Sequence, residues 1–458
     1  MAKKISAIPI SGILILVLCS SLPAQIGSRF PSEKKVVKDP VTGIELTFLT
    51  SKPAGDSKIY QTHNQWTSDG NWIIFRSDRV EGEAMAVNEK TGVMVQVTEG
   101  GYRGNLCVAR KSMTLFFMRS ASDTKGSLEL VEVDLGKLFT DSKKGNLGAE
   151  SEYQRVIGQT PPELGASGDL ALDASEDWVW FKVGQNAARK HLPEGTEIKD
   201  DFGPRNMGAG PGGIAGMNIS TGETKYVVSV PFQVGHVQTN PWVNGQIVFC
   251  WETGGKAPQR TWTVNSDGTG LRPLYPESEY EWITHEAVIT KEEVAFAVMG
   301  HREIPGTPAA ENPQGPGQEP EWGPSGTREK PTGLGIVNIE SREMTIAGQI
   351  PYGSGFWHVT GSPDGRFVAG DNFSRDIFLI DRHTHEMILL STGHKRTAEN
   401  HPHPTFKPDG SKMVIQSAML SEDNRTMNIC LIPVPEDWLE RTYKKKTENY
   451  LEKKGGEL

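Results

Sequence analysis

Cysteine is scarce in this chain, with 4 among 458 residues. Cys19 lies in the N-terminal apolar run, and Cys107, Cys250 and Cys430 lie within or beside strand-like segments. An odd and sparse set of cysteines provides no disulfide framework. We therefore interpret these three as small buried hydrophobic residues.

Positive charge is also in deficit, since 48 Lys and Arg stand against 57 Asp and Glu and the formal net charge is -9. Binding to nucleic acid depends on basic side chains that neutralise phosphates, so the composition argues against a nucleic-acid partner. An acidic sugar is not excluded as a substrate, but it requires a local basic group or a metal ion.

Long apolar runs are missing after the N-terminus, so no later segment is predicted to span a membrane. At the N-terminus, two lysines precede a short apolar run and small residues near Ala24. This pattern is typical of a signal peptide and predicts cleavage after residues 1–24, with export to the periplasm or the medium. A lipoprotein anchored at Cys19 is the alternative, which the bulky Leu18 disfavours.

The chain does contain an internal repeat. Seven segments combine a polar turn, which contains Asp, Asn or Gly in five of them, with a short β-rich run, and most are followed by a second run and turn. These segments begin at Thr67, Ala109, Leu172, Pro241, Val288, Gly361 and Phe406. Four strands per unit, repeated seven times, predict an all-β fold: a seven-bladed β-propeller with four-stranded blades around a central channel. A pair of β-sandwiches is the alternative, and the sustained period disfavours it.

The repeat also sets the predicted domain boundaries. Residues 25–440 form a single propeller, interrupted by two long loops at 183–212 and 302–332 that are rich in glycine or proline. The charged segment 441–458 is predicted as a tail.

Histidines keep phase with this repeat. Six of the 11 precede the turn of their unit at a similar distance; they are His63, His236, His285, His358, His401 and His403. The first strand of each blade lines the channel, so these positions should meet at one mouth. Tolerance of histidine at that position is the structural alternative. The other five are interpreted as surface or loop residues: His191, His301, His383, His385 and His394.

The segment "HPHP" provides two of these histidines. His401 and His403 alternate along a segment that proline keeps extended, so both side chains can point to the same side. With His285 from another blade they form a candidate metal site. Imidazole suits several transition metals, so the ligand type alone does not name the ion.

Several stretches resemble the oligogalacturonate lyases, seven-bladed propeller enzymes that split short pectin fragments. The similar stretches cover most of the mature chain. They are "YQTHNQWTSDGNWIIFRSD", "VMVQVTEGG", "GHVQTNPWVNGQIVFCWETG", "QRTWTVNSDGTGLRPL", "THE", "WHVTGSPDGRFVAGD" and "HPHPTFKPDG". Of these, "HPHP" followed by Ser or Thr and Phe is the most specific.

The resemblance implies a site. It implies a divalent metal, typically manganese, held by His285, His401 and His403, and it implies His236 as the catalytic base. The family's fourth ligand, a glutamine, falls on Ala398; Glu399, Asn400, water and His358 are the candidates to replace it, and His358 joins our predicted metal ligands.

The family's arginine upstream of the catalytic histidine is also missing, because "GPGGIAGMNISTGE" contains none. Arg205 is the candidate to replace it. Both departures indicate a divergent member of the family.

The chemistry can be argued from the residue types. Removing the C5 proton of a 4-linked uronate requires neutralisation of the adjacent carboxylate, which a divalent cation provides. A histidine is a suitable base near pH 7. Arg260 is predicted to hold a substrate carboxylate, with Arg205 and His63 as further substrate-binding candidates. Five tryptophans either stack on sugar rings or pack in the core: Trp66, Trp242, Trp251, Trp282 and Trp357.

The sequence therefore predicts an exported, metal-dependent lyase that cleaves short oligo-uronides, such as pectin fragments, by β-elimination. Two alternatives stay open. One is a non-catalytic propeller, similar to TolB-like propellers, that binds a sugar or a protein. The other is a lyase for a different uronate polymer. No particular protein partner can be inferred.

Overall fold

The computed structural model describes residues 25–203, 206–252, 257–278, 281–301, 332–350 and 355–443. The predicted signal peptide, Arg205, almost all of the loop 302–332 and the tail after residue 443 lie outside the described residues. No helix in the described part of the chain is long and apolar enough to cross a membrane.

Strands dominate the secondary structure of the described residues, and the helices are short. The helices are α1 (Leu135–Lys144), α2 (Gln185–Lys190) and α3 (Glu436–Leu439). The strands of the N-terminal half are β1 (Arg29–Phe30), β2 (Lys35–Lys38), β3 (Glu45–Phe48), β4 (Ser57–Lys58), β5 (Trp72–Arg76), β6 (Ala84–Asn88), β7 (Met94–Gln96), β8 (Arg103–Val108), β9 (Thr114–Ser120), β10 (Leu128–Asp134), β11 (Gln154–Gln159), β12 (Leu170–Leu172), β13 (Trp178–Val183), β14 (Ala209–Asn218) and β15 (Thr224–Phe232). Those of the C-terminal half are β16 (Val234–Thr239), β17 (Gln246–Trp251), β18 (Thr261–Asn265), β19 (Arg272–Pro273), β20 (Glu281–Thr290), β21 (Glu293–His301), β22 (Gly333–Asn338), β23 (Met344–Gly348), β24 (Phe356–Gly361), β25 (Phe367–Asn372), β26 (Ile377–Asp381), β27 (Met387–Ser391), β28 (Thr405–Phe406), β29 (Lys412–Ser417) and β30 (Asn428–Pro433).

The strands of the described residues form seven antiparallel sheets, which confirms the predicted seven-bladed propeller. We number the blades by their innermost strands: β4, β8, β12, β16, β20, β24 and β28. Blades 2 to 6 have four strands each. Blade 1 gains β1 as a fifth strand at its outer edge, and blade 7 joins β28, β29 and β30 to β3 and β2. The two ends of the chain therefore close the ring in a shared sheet.

Alternating side chains of the central strands fill the spaces between blades. On β9, Leu115 and Phe117 pack in the cluster shared with blade 1, and Phe116 and Met118 pack in the cluster shared with blade 3. Successive residues of a strand point to opposite faces, so a strand buried on both faces can be apolar at every position. Full burial of each such side chain contributes about 1.5–3 kcal/mol.

The seven repeat segments of the sequence contain the turn between the first and second strand of each blade. In blade 1 the Thr67 hydroxyl donates to Asp69 Oδ1 at 2.6 Å, Asp69 accepts the Asn71 N–H, and Gly70 adopts φ +68°. These turns ring one end of the channel, which we call the turn-side mouth. The segment 183–212, predicted as a long loop, carries α2 and the start of β14.

Candidate functional site

The structure brings five of the six in-phase histidines together at the channel end opposite the turn-side mouth. Ring centroids are 6.0 Å apart for His236 and His285, and 4.3 Å apart for His285 and His358. His358 is 3.7 Å from His403 and 5.3 Å from His401. We call these five residues the histidine cluster and this end of the channel the histidine mouth. Of the five blades whose histidines were predicted to converge, four do so, and blade 1 with His63 does not.

Bulges in the innermost strands aim these side chains into the channel. The pairing register shifts between Gly235 and Gln238, between Thr284 and Ala287, and between Phe356 and Val359. The three bulges contain His236, His285 and His358. A bulge re-aims a side chain that regular pleating would direct elsewhere.

Backbone strain accompanies this arrangement. Three of the five histidines have left-handed backbones: φ is +47° at His236, +54° at His285 and +51° at His403. A residue with a β-carbon loses about 1–2 kcal/mol in this conformation. Such strain persists where the surrounding structure holds the residue in place, and it is concentrated at functional sites.

Tyr60 lies at the centre of the cluster. Its ring centroid is 5.0 Å from His236, 5.1 Å from His403 and 6.1 Å from His358. Burial, followed by the charge of Glu286, raises the pKa of Tyr60 well above its ordinary value, so the phenol stays protonated. Tyr60 could not be identified from the sequence, because its position depends on the loop after β4 and not on the repeat.

Asp371 organises the C-terminal half of the cluster. Its fully buried carboxylate accepts the backbone N–H groups of His358 and His403 at 2.7 and 3.3 Å. Nδ1 of His358 lies 3.2 Å from either carboxylate oxygen, and Nδ1 of His401 lies 3.5 Å from Oδ2. Burial opposes ionisation, but His358 and His401 hold the pKa of Asp371 well below its usual range. Asp371 ends the quoted stretch "WHVTGSPDGRFVAGD", but it was missed as a site residue because aspartate is common in strand ends.

The donor atoms of His358, Asp371 and His401 lie within 4.8 Å of one another, and this trio fits a divalent cation. Two imidazoles and a carboxylate form a donor set that first-row transition metals accept. Nδ1 of His401 is buried and makes no hydrogen bond of ordinary length, since Asp371 Oδ2 lies 3.5 Å away. A buried polar atom that is so weakly paired is costly, and a bound metal at this trio would offset that cost.

His285 and His403 do not join this trio. His403 Nδ1 lies 2.8 Å from Gln61 Oε1, and Nε2 lies 3.0 Å from Asn400 Oδ1. Burial holds the pKa of His403 well below its ordinary value, so the ring is neutral and donates through one nitrogen only. Asn400 Oδ1 accepts the His401 N–H, so it is an acceptor and Nε2 of His403 donates to it. Nδ1 of His403 then needs a donor, which Gln61 supplies when its side-chain amide is turned so that the –NH2 group faces His403.

Ala398 is buried, and the segment around it is held by Arg375. The guanidinium of Arg375 donates to the carbonyl oxygens of Arg396 and Ala398 at 3.0 Å each, and also to Asn400 O. Of the candidates to replace the family's glutamine, the structure places His358 in the metal-capable trio, whereas the Glu399 side chain is exposed.

His236 lies between two glutamates. Its Nε2 is 3.3 Å from Glu252 Oε2, and its Nδ1 is 3.2 Å from Glu286 Oε1. Burial would lower the pKa of His236, but Glu252 and Glu286 raise it above its ordinary value. The ring is therefore fixed in orientation, and it becomes an effective base only at a pH above this raised pKa.

Arg260 lies beside His236, where its matched segment "QRTW" had placed it in the same site. Its side chain is buried, with Nε 3.2 Å from Glu286 Oε2 and Nη2 3.4 Å from His236 Nδ1. The guanidinium is thus engaged with Glu286 and orients the base, and its predicted contact with a substrate carboxylate stays a prediction. A second trio of possible donors, His236, Cys250 and Glu286, surrounds this arginine. Its positive charge disfavours a cation there.

His63 stands apart from the cluster. Its Nε2 is 2.8 Å from Leu170 O and its Nδ1 is 2.7 Å from Thr62 Oγ1, so both ring nitrogens have protein partners. This position links blades 1 and 3 and does not support the predicted part in substrate binding.

One of the five tryptophans touches the histidines. Trp357 has its ring centroid 4.3 Å from His285 and 6.1 Å from His401. Trp66, Trp251 and Trp282 are buried, in line with the core-packing alternative, and Trp242 lies at the turn-side mouth.

Comparison with known proteins supports the fold. No protein-family model and no curated protein matches the chain. One similar solved structure is an oligogalacturonate lyase in complex with manganese, with a TM-score of 0.67, 18% identity, and coverage of 91% of this chain and 100% of its own. The chain is similar in fold to the oligogalacturonate lyases. A second such lyase, from Vibrio parahaemolyticus, gives a TM-score of 0.66, 19% identity, and coverage of 90% and 100%.

The likeness confirms the fold that the sequence resemblance implied. At this level of identity, it does not carry chemistry from one chain to the other. The function of this chain has to be argued from its own site.

Proposed function

We propose that this chain is an exported, metal-dependent polysaccharide lyase of the oligogalacturonate type, which cleaves short 4-linked oligo-uronides by β-elimination. The observation that carries the proposal is that a metal-capable trio and a candidate base lie at the same channel mouth. The trio is His358, Asp371 and His401, and the base is His236. The His285 ring lies between them, with its centroid 4.3 Å from that of His358 and 6.0 Å from that of His236.

The reaction needs a base that takes the C5 proton of the sugar and a hydrogen-bond donor for the leaving oxygen O4. His236 takes the C5 proton, the electron pair forms the C4–C5 double bond, and the C4–O4 bond breaks. Solvent water supplies the proton that the leaving oxygen requires, and protonated His236 afterwards returns the C5 proton to solvent. Tyr60, which contacts His236 and stays protonated, is positioned to donate a hydrogen bond to the leaving oxygen.

Glu286 and Arg260 support the base without touching the reacting atoms in this scheme. The pKa of Glu286 is lowered to about 2: burial opposes ionisation, but Arg260 and His236 outweigh it. The ionised carboxylate fixes the His236 ring and stabilises its protonated form after the C5 proton is taken. This is the orienting role that a buried carboxylate plays beside a catalytic histidine.

A divalent metal, with manganese as the first candidate because a similar structure contains it, is the proposed cofactor. His358, Asp371 and His401 would hold it, with His285 and His403 in contact around them. When bound, it would neutralise the uronate carboxylate and make the C5 proton more acidic. The difference between this trio and the ligands that the family resemblance implies favours a uronide other than the family's usual substrate as a second candidate.

The test is an ultraviolet assay for the unsaturated product. Purified protein with manganese is incubated with a panel of oligo-uronides, from galacturonate to other 4-linked uronates. We expect absorbance to rise on at least one substrate, and His236→Ala to reduce the rate by about 10²–10⁴-fold while metal binding persists. No product on any uronide would remove the lyase and leave a non-catalytic propeller.

The metal is tested separately, by equilibrium dialysis with manganese. We expect His401→Ala to lose most of the bound ion. His191→Ala is the matched control, because His191 is exposed and stacks on Tyr226, away from the cluster. Equal metal in wild type and His401→Ala would place the ion elsewhere or show that none binds.

A further inference from the structure

Blade 2 carries a helical insertion at the outer rim of the turn side. In blade 1 a short turn, residues 89–93, joins the third and fourth strands, whereas in blade 2 residues 135–153 join them and include α1. The helix packs against blade 1: Phe139 belongs to the core cluster between the two blades, and Ser142 Oγ donates to Gly27 O at 2.6 Å. The insertion is therefore fixed in place.

An open groove, which we call the helix groove, lies between α1 and the outer strands of blade 1. It measures about 310 Å³. Trp72 and Phe139 form an apolar wall, with ring centroids 4.1 Å apart and ring planes inclined at 15°. Two asparagines, Asn71 and Asn88, and two threonines add amide and hydroxyl groups. Small-molecule sites have volumes of about 300–1,000 Å³ and combine apolar walls with a few polar groups, so the groove is large enough for a sugar ring.

Two cations complete the lining of the helix groove. Arg29 on β1 and Lys143 in the last turn of α1 both line it, and both are exposed. Within the described residues, neither side chain makes a hydrogen bond or an ion pair. The N–H donors of the guanidinium and of the ammonium group are therefore available to a ligand.

The residues that line the helix groove in the described chain include no carboxylate. Those that flank the lining residues in sequence are engaged elsewhere. Asp69 accepts hydrogen bonds within its own turn, Glu89 pairs with Lys407 at 3.1 Å, and Asp141 pairs with Lys137 at 3.1 Å. In a chain whose net charge is -9, the groove is thus locally positive and favours an anion.

We propose that the helix groove is an accessory binding site for an acidic sugar. The sugar carboxylate meets Arg29 and Lys143, the apolar face of the ring lies against the wall of Trp72 and Phe139, and the hydroxyls bond to the asparagine and threonine side chains. The choice of a uronate as the sugar rests on the proposed function, whereas the need for a carboxylate on a hydroxylated ring rests on the groove alone.

The helix groove takes no part in elimination, because it lies on the turn side and the histidine cluster lies at the opposite end of the channel. Its role is to hold the protein on an acidic polysaccharide while the histidine mouth stays free.

The test is isothermal titration calorimetry with D-galacturonate in the presence of EDTA, so that a metal at the histidine mouth contributes nothing. D-Galactose, which lacks the carboxylate, and benzoate, which lacks the hydroxyls, are the comparison ligands. We expect galacturonate to bind about tenfold more tightly than either, since each comparison ligand lacks one set of hydrogen bonds. Absence of galacturonate binding, or equal binding of galactose or benzoate, would overturn the proposal.

Variants that remove a charge locate the site. Arg29→Gln and Lys143→Gln are each expected to weaken galacturonate binding about tenfold, because each removes a charge-assisted contact. Lys144→Gln is the matched control, since Lys144 is exposed in the same turn of α1 but does not line the groove. Salt at about 0.15 M screens its more distant charge. Unchanged binding in both Arg29→Gln and Lys143→Gln would refute the site.

A variant that fills the groove tests the space without changing the charge. Thr140 lines the helix groove and is exposed on α1. Thr140→Trp is expected to abolish galacturonate binding while thermal unfolding stays unchanged. Binding that persists in this folded variant would place the sugar elsewhere and overturn the proposal.

The lyase proposal and this one fail separately. Absence of elimination in the manganese assay would leave EDTA-insensitive binding at the helix groove intact. Conversely, Arg29→Gln is expected to leave elimination of short oligo-uronides unchanged, and its loss in that variant would contradict an accessory role.

Discussion

The two sides of the channel at the level of the histidine cluster are built differently. On the side of blades 4 to 7, histidines occupy the bulges and the extended segment before β28. On the side of blades 2 and 3, the corresponding positions are Gly104, at a bulge between Arg103 and Leu106, and Gly168. Both glycines have left-handed backbones, with φ of +71° and +82°.

The glycine side is closed by backbone. A β-carbon on Gly104 would lie 1.9 Å from Gly168 O, and the Asn105 N–H donates to that same oxygen at 2.9 Å. The side chain of Asn105 donates to Asp169 at 2.6 Å. The same left-handed bulge thus has two uses: it brings two blades into backbone contact on one side, and it projects imidazoles on the other. The propeller allows this because each blade forms its bulge independently.

The largest expected effect comes from adding a side chain to the closed side. Gly104→Ala should lower the free energy of unfolding by at least about 3 kcal/mol, because the methyl group meets a backbone oxygen and the residue is strained. Gly101→Ala is the matched control: φ is +77° there and nothing lies within 4 Å. It should cost about 1–2 kcal/mol, the strain alone. Equal losses in urea unfolding would contradict the closed packing.

A smaller effect is expected when the histidine side loses its organising carboxylate. Asp371→Asn keeps the shape but cannot accept from both ring and backbone donors as an anion does. Loss of a carboxylate that orients metal-binding histidines typically costs about 10–100-fold in affinity. We therefore expect manganese affinity, measured by equilibrium dialysis, to fall by that factor. Asp169→Asn on the glycine side is the control, and an equal fall in both variants would refute the assignment.

Strain on the histidine side should be visible as a preference for glycine. His285 has φ +54°, so His285→Gly should be more stable than His285→Ala by about 1 kcal/mol. His358 is not among the residues with positive φ, so there alanine should exceed glycine by about 0.5–1 kcal/mol. Loss of the ring is common to both members of each pair and cancels. The same order of stabilities at both positions would contradict the difference in backbone.

The fold could be predicted because each blade has a turn between its first two strands and several of these turns share a sequence signal. Asp69, Asp364 and Asp409 accept from their own turns in the same way, so the turn signal recurs with the repeat. The histidine phase followed from the same period. His394, interpreted as a surface or loop residue, does lie in the loop between β27 and β28, but it is buried there between the Ser391 and Ser417 hydroxyls. It lies outside the phase, and its burial depends on packing that a period cannot reveal.

The site was only partly predictable. Spacing identified the five histidines that meet and also His63, which does not reach them. It did not show which donor atoms end up close together. Asp371 and Tyr60 reach the cluster from a strand end and a loop, positions that no periodicity marks. Arg260 was found by its neighbours in sequence, yet its ion pair with Glu286 requires the two strands to be placed in space.

The smallest effect is expected at the base, as a shift with little loss of rate. Glu252 raises the pKa of His236, and a base works only when unprotonated, so activity should fall as pH drops through that raised value. Glu252→Gln lowers the His236 pKa and should move the acid limb of kcat/KM to lower pH. NMR titration of the His236 ring checks the same shift without substrate. Glu89→Gln, whose carboxylate pairs with Lys407 and Lys412, is the control. If the His236 titration does not move, Glu252 does not raise the His236 pKa. The buried carboxylate of Glu286 then accounts for the shift alone.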